Sequence, residues 1–590
     1  MDQLRQEARA VLQRNPWKRP DFLRSAFAAT AKNGLADLWQ DLASHDSDTH
    51  LDVCENLYTA FCFVDGWDTL LPNDQGPRQL NRADTEAVTR IFHWASALAL
   101  PSSAFATEFD DFTETTQAIK SAQEDSRLRS TLAIQLILQL SAKAPACLED
   151  RTIVSAPDVV LAAACFTDQS DPWTTEDSYE EASMYLNVAL QRERWSIIDK
   201  LLKEKLRPLF TKIKNPAITT EGRKNFHPTP LSRFDGTVLN DELKPWKFND
   251  IYATRILAWI ISQYQSSSKS ELEAHFPLMV PALLALIDDN SLTFKRIGCE
   301  LFSKVLQPIQ KSGSDILLRT NLTSVFEDAI APCLLSLPTI TPEDDSLKLL
   351  GAAYPALLSL FQTAYEAPRP KSSKDQAEKA KEKYIAKVTK ILRSNLVSSF
   401  HHISSSTPAT LSTSASFPHP RLSAFLVEWM IVFIKELGIH TTKYLQGLVP
   451  VVYAALCNPF GTAYPPLLLA ATSATKFLVL NAHPRIWRWR GELLGALCAC
   501  WLQIIGEKED KEKESGKRNL TKTRELELIS KELQVTVFVL KKALQNPVPF
   551  GSVEPDADQL HTREALQQEL QMLIEADSEL NGLLFADIRP

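Results

Sequence analysis

Three short segments of the chain are near copies of one another: Pro281-Ala-Leu-Leu-Ala-Leu286, Pro332-Cys-Leu-Leu-Ser-Leu337 and Pro355-Ala-Leu-Leu-Ser-Leu360. A looser fourth, Pro450-Val-Val-Tyr-Ala-Ala-Leu456, follows. Recurrence at irregular intervals of tens of residues marks a helical repeat array. A single helix pair cannot bury its apolar face alone, so neighbours must stack into a solenoid. Such arrays bind other proteins more often than they perform chemistry. At 590 residues the chain exceeds one compact core, which fits an elongated array or several domains. Gly is scarce at 17 and Pro reaches 34, as expected of many helices broken by stiff turns.

Residues 1–215 read as an N-terminal helical region, with Leu132, Leu136, Leu140, Ile134, Ile137 and Leu138 in a broad stripe. Asp168 to Asp177 is a polar turn, and Leu186, Leu190 and Trp195 continue the pattern on a helix ending near Phe210. Residues 216–245 carry four prolines and little periodicity, and read as a linker or an ordered loop. Residues 246–590 read as the solenoid proper. Phe248, Tyr252, Ile256 and Trp259 form one stripe of its first helix, and Phe276 to Ile287 forms the next. Arg421 to Leu437, Thr442 to Leu456, Pro465 to Leu480, Trp487 to Ile505, Thr523 to Leu544 and Leu560 to Leu573 follow. Polar insertions are expected near 366–378, 404–420 and 507–518, where composition is too polar to order itself.

Net charge is −8, from 64 basic and 72 acidic residues, a poor footprint for nonspecific nucleic-acid binding. The nine Cys form no disulfide framework and read as buried reduced thiols of a cytosolic or nuclear protein. The N-terminus lacks an apolar signal region, and no uninterrupted apolar run is long enough for a bilayer. The nearest, Tyr464 to Leu480, reads as a buried helix.

Nothing in the chain spells an active site, a metal site or a cofactor site. No phosphate loop occurs. Phe234-Asp235-Gly-Thr237 resembles the tail of a phosphatase motif but lacks its paired Asp, and reads as an Asp-Gly turn. Cys498 and Cys500 point to different faces of a helix, and His401-His402 has no second ligand pair at a suitable spacing. Asp288-Asp289-Asn290-Ser291 reads as a turn that caps the helix after it. The sharpest surface signal is Pro484-Arg-Ile-Trp-Arg-Trp-Arg490, because Arg and Trp are enriched at protein-binding hot spots. Arg485, Arg488 and Arg490 are therefore candidate partner-binding residues, with Trp487 expected to anchor the segment inside.

One block goes beyond periodicity. It runs Lys244-Pro-Trp246-Lys-Phe-Asn-Asp-Ile-Tyr252-Ala-Thr-Arg255-Ile-Leu-Ala-Trp259, then His275-Phe-Pro277 and Pro281, then Ile287-Asp288-Asp289, then Lys295-Arg-Ile-Gly298-Cys-Glu-Leu-Phe-Ser-Lys-Val-Leu306. This resembles the Tel-two-interacting protein two family, a subunit of the TTT co-chaperone complex. Close resemblance covers about a tenth of the chain. It implies an all-α, HEAT-like solenoid of stacked antiparallel helix pairs, without catalysis or cofactor. It also implies partners: the larger solenoid subunit Tel-two-interacting protein one, the Tel-two protein, and heat-shock protein 90 with its adaptor. The clients would be phosphatidylinositol-3-kinase-related kinases, in cytoplasm and nucleus. Arg255, off the Ile256 stripe, is expected to pair with a carboxylate such as Asp288 or Asp289 in the HEAT manner. The rival readings are a karyopherin-like transport adaptor or other assembly adaptor, and a helical hydrolase or transferase.

Overall fold

The computed structural model describes residues 1–17, 34–45, 49–66, 82–106, 115–143, 156–212, 215–228, 243–366, 374–405, 418–513, 520–545 and 562–586. Among them the backbone is helical, and the sole extended pairing is an isolated bridge between Ile218 and Lys224. Contacts divide the chain into two compact units. The first holds Met1–Leu286 and Arg319–Val325, and the second holds Ile287–Leu318 and Phe326–Pro590.

In the first unit the principal helices are α1 (Asp2–Arg14), α2 (Leu35–Ser44), α3 (His50–Gly66), α4 (Arg82–Ala99), α5 (Thr115–Lys143), α6 (Pro157–Ala164), α7 (Glu176–Lys200), α8 (Ala253–Ser262) and α9 (Lys269–Ile287), whose last residue falls at the division. Each helix touches its next-but-one neighbour: α1 with α3, α3 with α5, α5 with α7, and in the other layer α2 with α4 and α4 with α6. Contacts of α4 with α5 and of α6 with α7 close the layers together. That is the two-layer stack of a helical solenoid.

The second unit repeats the scheme. Its helices are α10 (Leu292–Lys311), α11 (Leu322–Ile330, which straddles the division), α12 (Glu343–Phe361), α13 (Lys374–Ile391), α14 (Ser398–Ser405), α15 (Pro420–Leu437), α16 (Leu445–Leu456), α17 (Pro465–Ala482), α18 (Arg490–Lys513), α19 (Leu520–Gln545) and α20 (Thr562–Ala576). One layer runs α10, α12, α15, α17, α19, and α16 packs on α18 in the other. The periodic leucines supply the core: Leu132, Leu136 and Leu140 of α5 and Leu422, Leu426, Phe433 and Leu437 of α15 are all buried. Burying each such side chain is worth about 1.5–3 kcal/mol before entropy is counted.

The recurring prolines sit inside helices more often than before them: Pro281 in α9, Pro355 in α12 and Pro450 in α16, while Pro332 lies in a 3₁₀ turn, Ala331–Leu335. Helix α9 accordingly starts at Lys269, not Phe276, and carries Pro277 and Pro281. Proline has no N–H, so Pro281 leaves the Pro277 carbonyl without its helical donor. Gly222, at φ +70°, packs against that carbonyl; a β-carbon there would lie 2.3 Å from the oxygen. Here glycine is required both by the backbone angle and by the approach. The same α9 is the one described helix that is long and apolar enough by length and composition to cross a membrane, although Lys269, Glu271, Glu273 and His275 interrupt its apolar run. Its Leu272, Phe276, Met279, Val280, Leu283 and Leu284 are buried in the protein.

Three boundaries differ from expectation. Phe248 is 44% exposed, because Pro245–Phe248 forms a separate turn and α8 begins only at Ala253. The charged stretch from Glu507 continues α18 as far as Lys513, since Glu and Lys are good helix formers. For the same reason α13 begins at Lys374, within the expected insertion. Residues 367–373, 406–417 and 514–518 of the insertions, and Phe234 to Thr237, lie outside the described residues. The Pro-rich stretch is tied down where it is described: the Lys224 amide donates to the Thr320 carbonyl (3.1 Å), and Lys224 Nζ donates to Ser324 Oγ (2.8 Å).

Candidate protein-binding surfaces

The residues singled out between 244 and 306 hold the fold. Trp246 is 1% exposed and stacks on Phe210, with ring centroids 4.7 Å apart. Ile256 and Trp259 are buried on α8, and the Tyr252 hydroxyl donates to Asp250 at 2.8 Å. The carboxylates that meet Arg255 are Asp171 and Asp168, not the expected Asp288 or Asp289. Arg255 Nη2 donates to Asp171 Oδ1 at 2.6 Å, Nε donates to Asp171 Oδ2, and Nη1 meets Asp168 at 2.6 Å. The physical reason is local. Asp289 Oδ1 accepts the Ser291 N–H at 2.7 Å, whereas the turn after α6 presents two carboxylates to Arg255.

That turn is built for rigidity. Trp173 Nε1 donates to the Cys165 carbonyl (3.0 Å), Arg127 Nε donates to the Pro172 carbonyl (2.7 Å), and Thr175 with Ser178 forms a capping box on α7. Burial alone would raise the Asp168 carboxyl, but the Ser170 hydroxyl and amide and the Arg255 guanidinium outweigh it and hold it below its ordinary value. Sequence reasoning left Asp168 and Asp171 as a plain polar turn, and no local pattern joins them to an arginine 84 residues away from Asp171. Nearby, Tyr264 and His275 Nδ1 share a hydrogen bond of 2.8 Å and Trp195 stacks on Tyr264, tying α7 and α9 to the turn that follows α8. Burial lowers the His275 pKa, with Asp199 opposing.

Across the second motif, Asp288 is exposed, Asp289 is buried, and Lys295 and Gly298 lie on α10 with Gly298 buried. Pro281 is half-buried inside α9. The expected helix cap is a tighter device: Asp289 serves the N-cap residue's own amide, and Ser291 makes no side-chain cap.

The Arg–Trp cluster folds differently from expectation. His483–Trp489 is a 3₁₀ turn, whose three-residue period turns Ile486 inward. Ile486 is 1% exposed and is the anchor; Trp487 is only half-buried. Arg490 is engaged within the chain. Its Nη2 donates to Glu569 Oε1 at 2.8 Å, and its guanidinium lies 4.3 Å from the Trp487 ring centre. Arg485 and Arg488 are exposed. The apolar chain end docks on its own body. Leu583 and Leu584 are buried, Trp501 Nε1 donates to the Glu579 carbonyl (3.0 Å), and Lys541 Nζ donates to the Leu584 carbonyl (2.7 Å). Cys498 and Cys500 are buried on α18, their thiols pushed by burial up to about 11 and about 12.

Bare apolar side chains gather around the second near-copy, where Pro332, Pro338 and Pro342 stiffen the chain. Leu335, at the end of the 3₁₀ turn Ala331–Leu335, is 70% exposed, and Ile340, on the loop between Pro338 and Pro342 in which Thr339 holds φ +107°, is 89% exposed. A β-branched residue at positive φ is strained.

Against known proteins, the profile of the Tti2 family matches residues 159–463, from α6 to the turn after α16. The chain belongs to the Tti2 family. Among solved structures the chain is similar to a crystal structure of Kap121p, at 13% identity and a TM-score of 0.27, covering 98% of this chain and 64% of that one. A mutant form of Kap121p matches at 13% identity and a TM-score of 0.26, with the same coverage. The chain thus spans 64% of the length of these structures. The fold rests on the chain's own helix packing.

Proposed function

We propose that this chain is a non-catalytic scaffold subunit of the TTT co-chaperone complex. In this reading it joins Tel-two-interacting protein one and the Tel-two protein. With heat-shock protein 90 and its adaptor it matures and stabilises phosphatidylinositol-3-kinase-related kinases, in cytoplasm and nucleus. The observation that carries the reading is the family match across half the chain. The described structure supports it: the family motif residues build the stack, and exposed features suited to a partner stand apart from them.

Two such features are Arg485 with Arg488, and Leu335 with Ile340. Exposed apolar anchors and arginines are the side chains that carry binding energy at interfaces. Arg485→Glu with Arg488→Glu should weaken recovery of the larger solenoid subunit while leaving the melting temperature of the isolated chain unchanged. Full recovery, or a collapse in stability, would remove those arginines from the interface. Leu335→Asp with Ile340→Asp, read the same way, then decides whether the stiff loop carries the contact instead.

A further inference from the structure

We propose that the cleft between α2 and α4 seats an acidic amphipathic helix of a partner protein. Both helices begin at the same end, where the Ala36 amide donates to Asp84 Oδ1 at 2.9 Å, and they pack side by side. The cleft between them holds about 370 Å³, room for large side chains. From α2 it is lined at positions 36, 39, 40 and 43, and from α4 at 83, 86, 87 and 90, with the same spacing on each helix. Residues three and four apart share one helix face, so each stripe is a single face two turns long, about 10 Å along the axis. Alanine stands at four of these eight positions: Ala36, Ala43, Ala83 and Ala87. Small side chains on both walls leave a groove that the ridge of a visiting helix fills. A helix so docked anchors through apolar residues at matching intervals.

The charges say what kind of helix enters. The carboxylates around the cleft are already engaged. Asp84 accepts the Ala36 amide, Asp37 accepts the Gly34 amide at 2.8 Å, Asp41 meets Arg5 at 2.7 Å, and Glu86 accepts from Arg82 at 3.3 Å. Of the two charged lining side chains, Glu86 thus has its cation, while Arg90 is exposed and has no partner among the described residues. Trp39, half-buried, stands in the opposite wall. Trp and Arg are the side chains that most often carry binding energy at interfaces. An unpaired guanidinium over an apolar floor complements a carboxylate carried beside an apolar side chain. One arginine among engaged carboxylates is a poor footprint for a nucleic acid or an anionic membrane, both of which recruit clusters of cations. The proposal goes beyond the TTT reading and does not rest on it.

The test is selection of a phage-displayed library of helical peptides on the purified full-length chain. Enriched sequences should carry Asp or Glu beside apolar residues at helical spacing. Synthetic copies should bind the full-length chain, and Arg90→Glu should weaken that binding about tenfold or more. Replacing the peptide's carboxylate by Lys should restore binding to the Arg90→Glu chain. Ala43→Gln with Ala83→Gln, both at exposed positions, should block the cleft and leave the melting temperature unchanged. The charge swap stands by itself if that blocked chain loses stability. Enrichment of basic sequences would overturn the proposal, as would binding that survives both Arg90→Glu and the blocked cleft. No enrichment at all, as when a second copy of the chain occupies the cleft, would also overturn it. So would Arg90-dependent flotation on vesicles of phosphatidylcholine and phosphatidylserine, which would make a lipid phosphate the ligand.

Discussion

At the scale of the residue, the structure turns on Arg255. A guanidinium that meets two carboxylates, one of them in bidentate geometry, gains direction as well as charge. The Arg255 side chain is 20% exposed and that of Asp171 13%, so the pair is shielded, though not wholly, from solvent. Removing one partner would leave Asp171 partly buried without its cation. Arg255→Ala should therefore destabilise the chain by about 3 kcal/mol. Arg255→Lys should recover only part of that, because an ammonium cannot reproduce the fork. Chemical denaturation of the three proteins checks this. Equal midpoints would show that the turn after α6 does not depend on Arg255.

At the scale of the element, helix boundaries and helix faces behaved differently. Faces were legible. Apolar side chains at spacings of three and four residues in α5, α8 and α15 turn out buried, because only one face of a two-layer stack is dry. Boundaries were not. Pro277 and Pro281 look like helix starters from local rules, yet α9 runs through both. Gly222, on a loop far away in sequence, packs against the freed Pro277 carbonyl, an approach no local pattern reveals. Glu507 to Lys513 looked too charged to order, but α18 extends through it, anchored by Lys508 Nζ donating to Ser530 Oγ at 3.0 Å. In the Arg–Trp segment a 3₁₀ turn of three residues per turn places Ile486 inside and leaves Trp487 half-buried, contrary to the expectation that Trp487 anchors it. Gly222 gives the sharpest test at this scale. Gly222→Ala must place a β-carbon against the Pro277 backbone at φ +70°, and should cost about 2 kcal/mol or more. Thermal melts read it directly, and an unchanged melting temperature would mean that the loop does not seat against α9 as described.

At the scale of the whole molecule, the chain is two units, each a two-layer stack with its own buried stripe of leucines and aromatics. Neither the near-copies of Pro-x-Leu-Leu-x-Leu nor the packing names a partner; that reading comes from the family match over residues 159–463. What the physics adds is a division of labour. The motif residues Trp246, Trp259 and Arg255 are engaged in packing and ion pairing, and under the proposed function a partner is met elsewhere, on exposed arginines and bare apolar side chains. The measurement that tests the central claim most directly is affinity purification of the tagged full-length chain followed by mass spectrometry. A TTT subunit should recover Tel-two-interacting protein one and the Tel-two protein in near-stoichiometric amounts, with heat-shock protein 90 and client kinases at lower yield. Recovery of transport cargo or of an unrelated assembly, with neither of those two subunits present, would contradict the account.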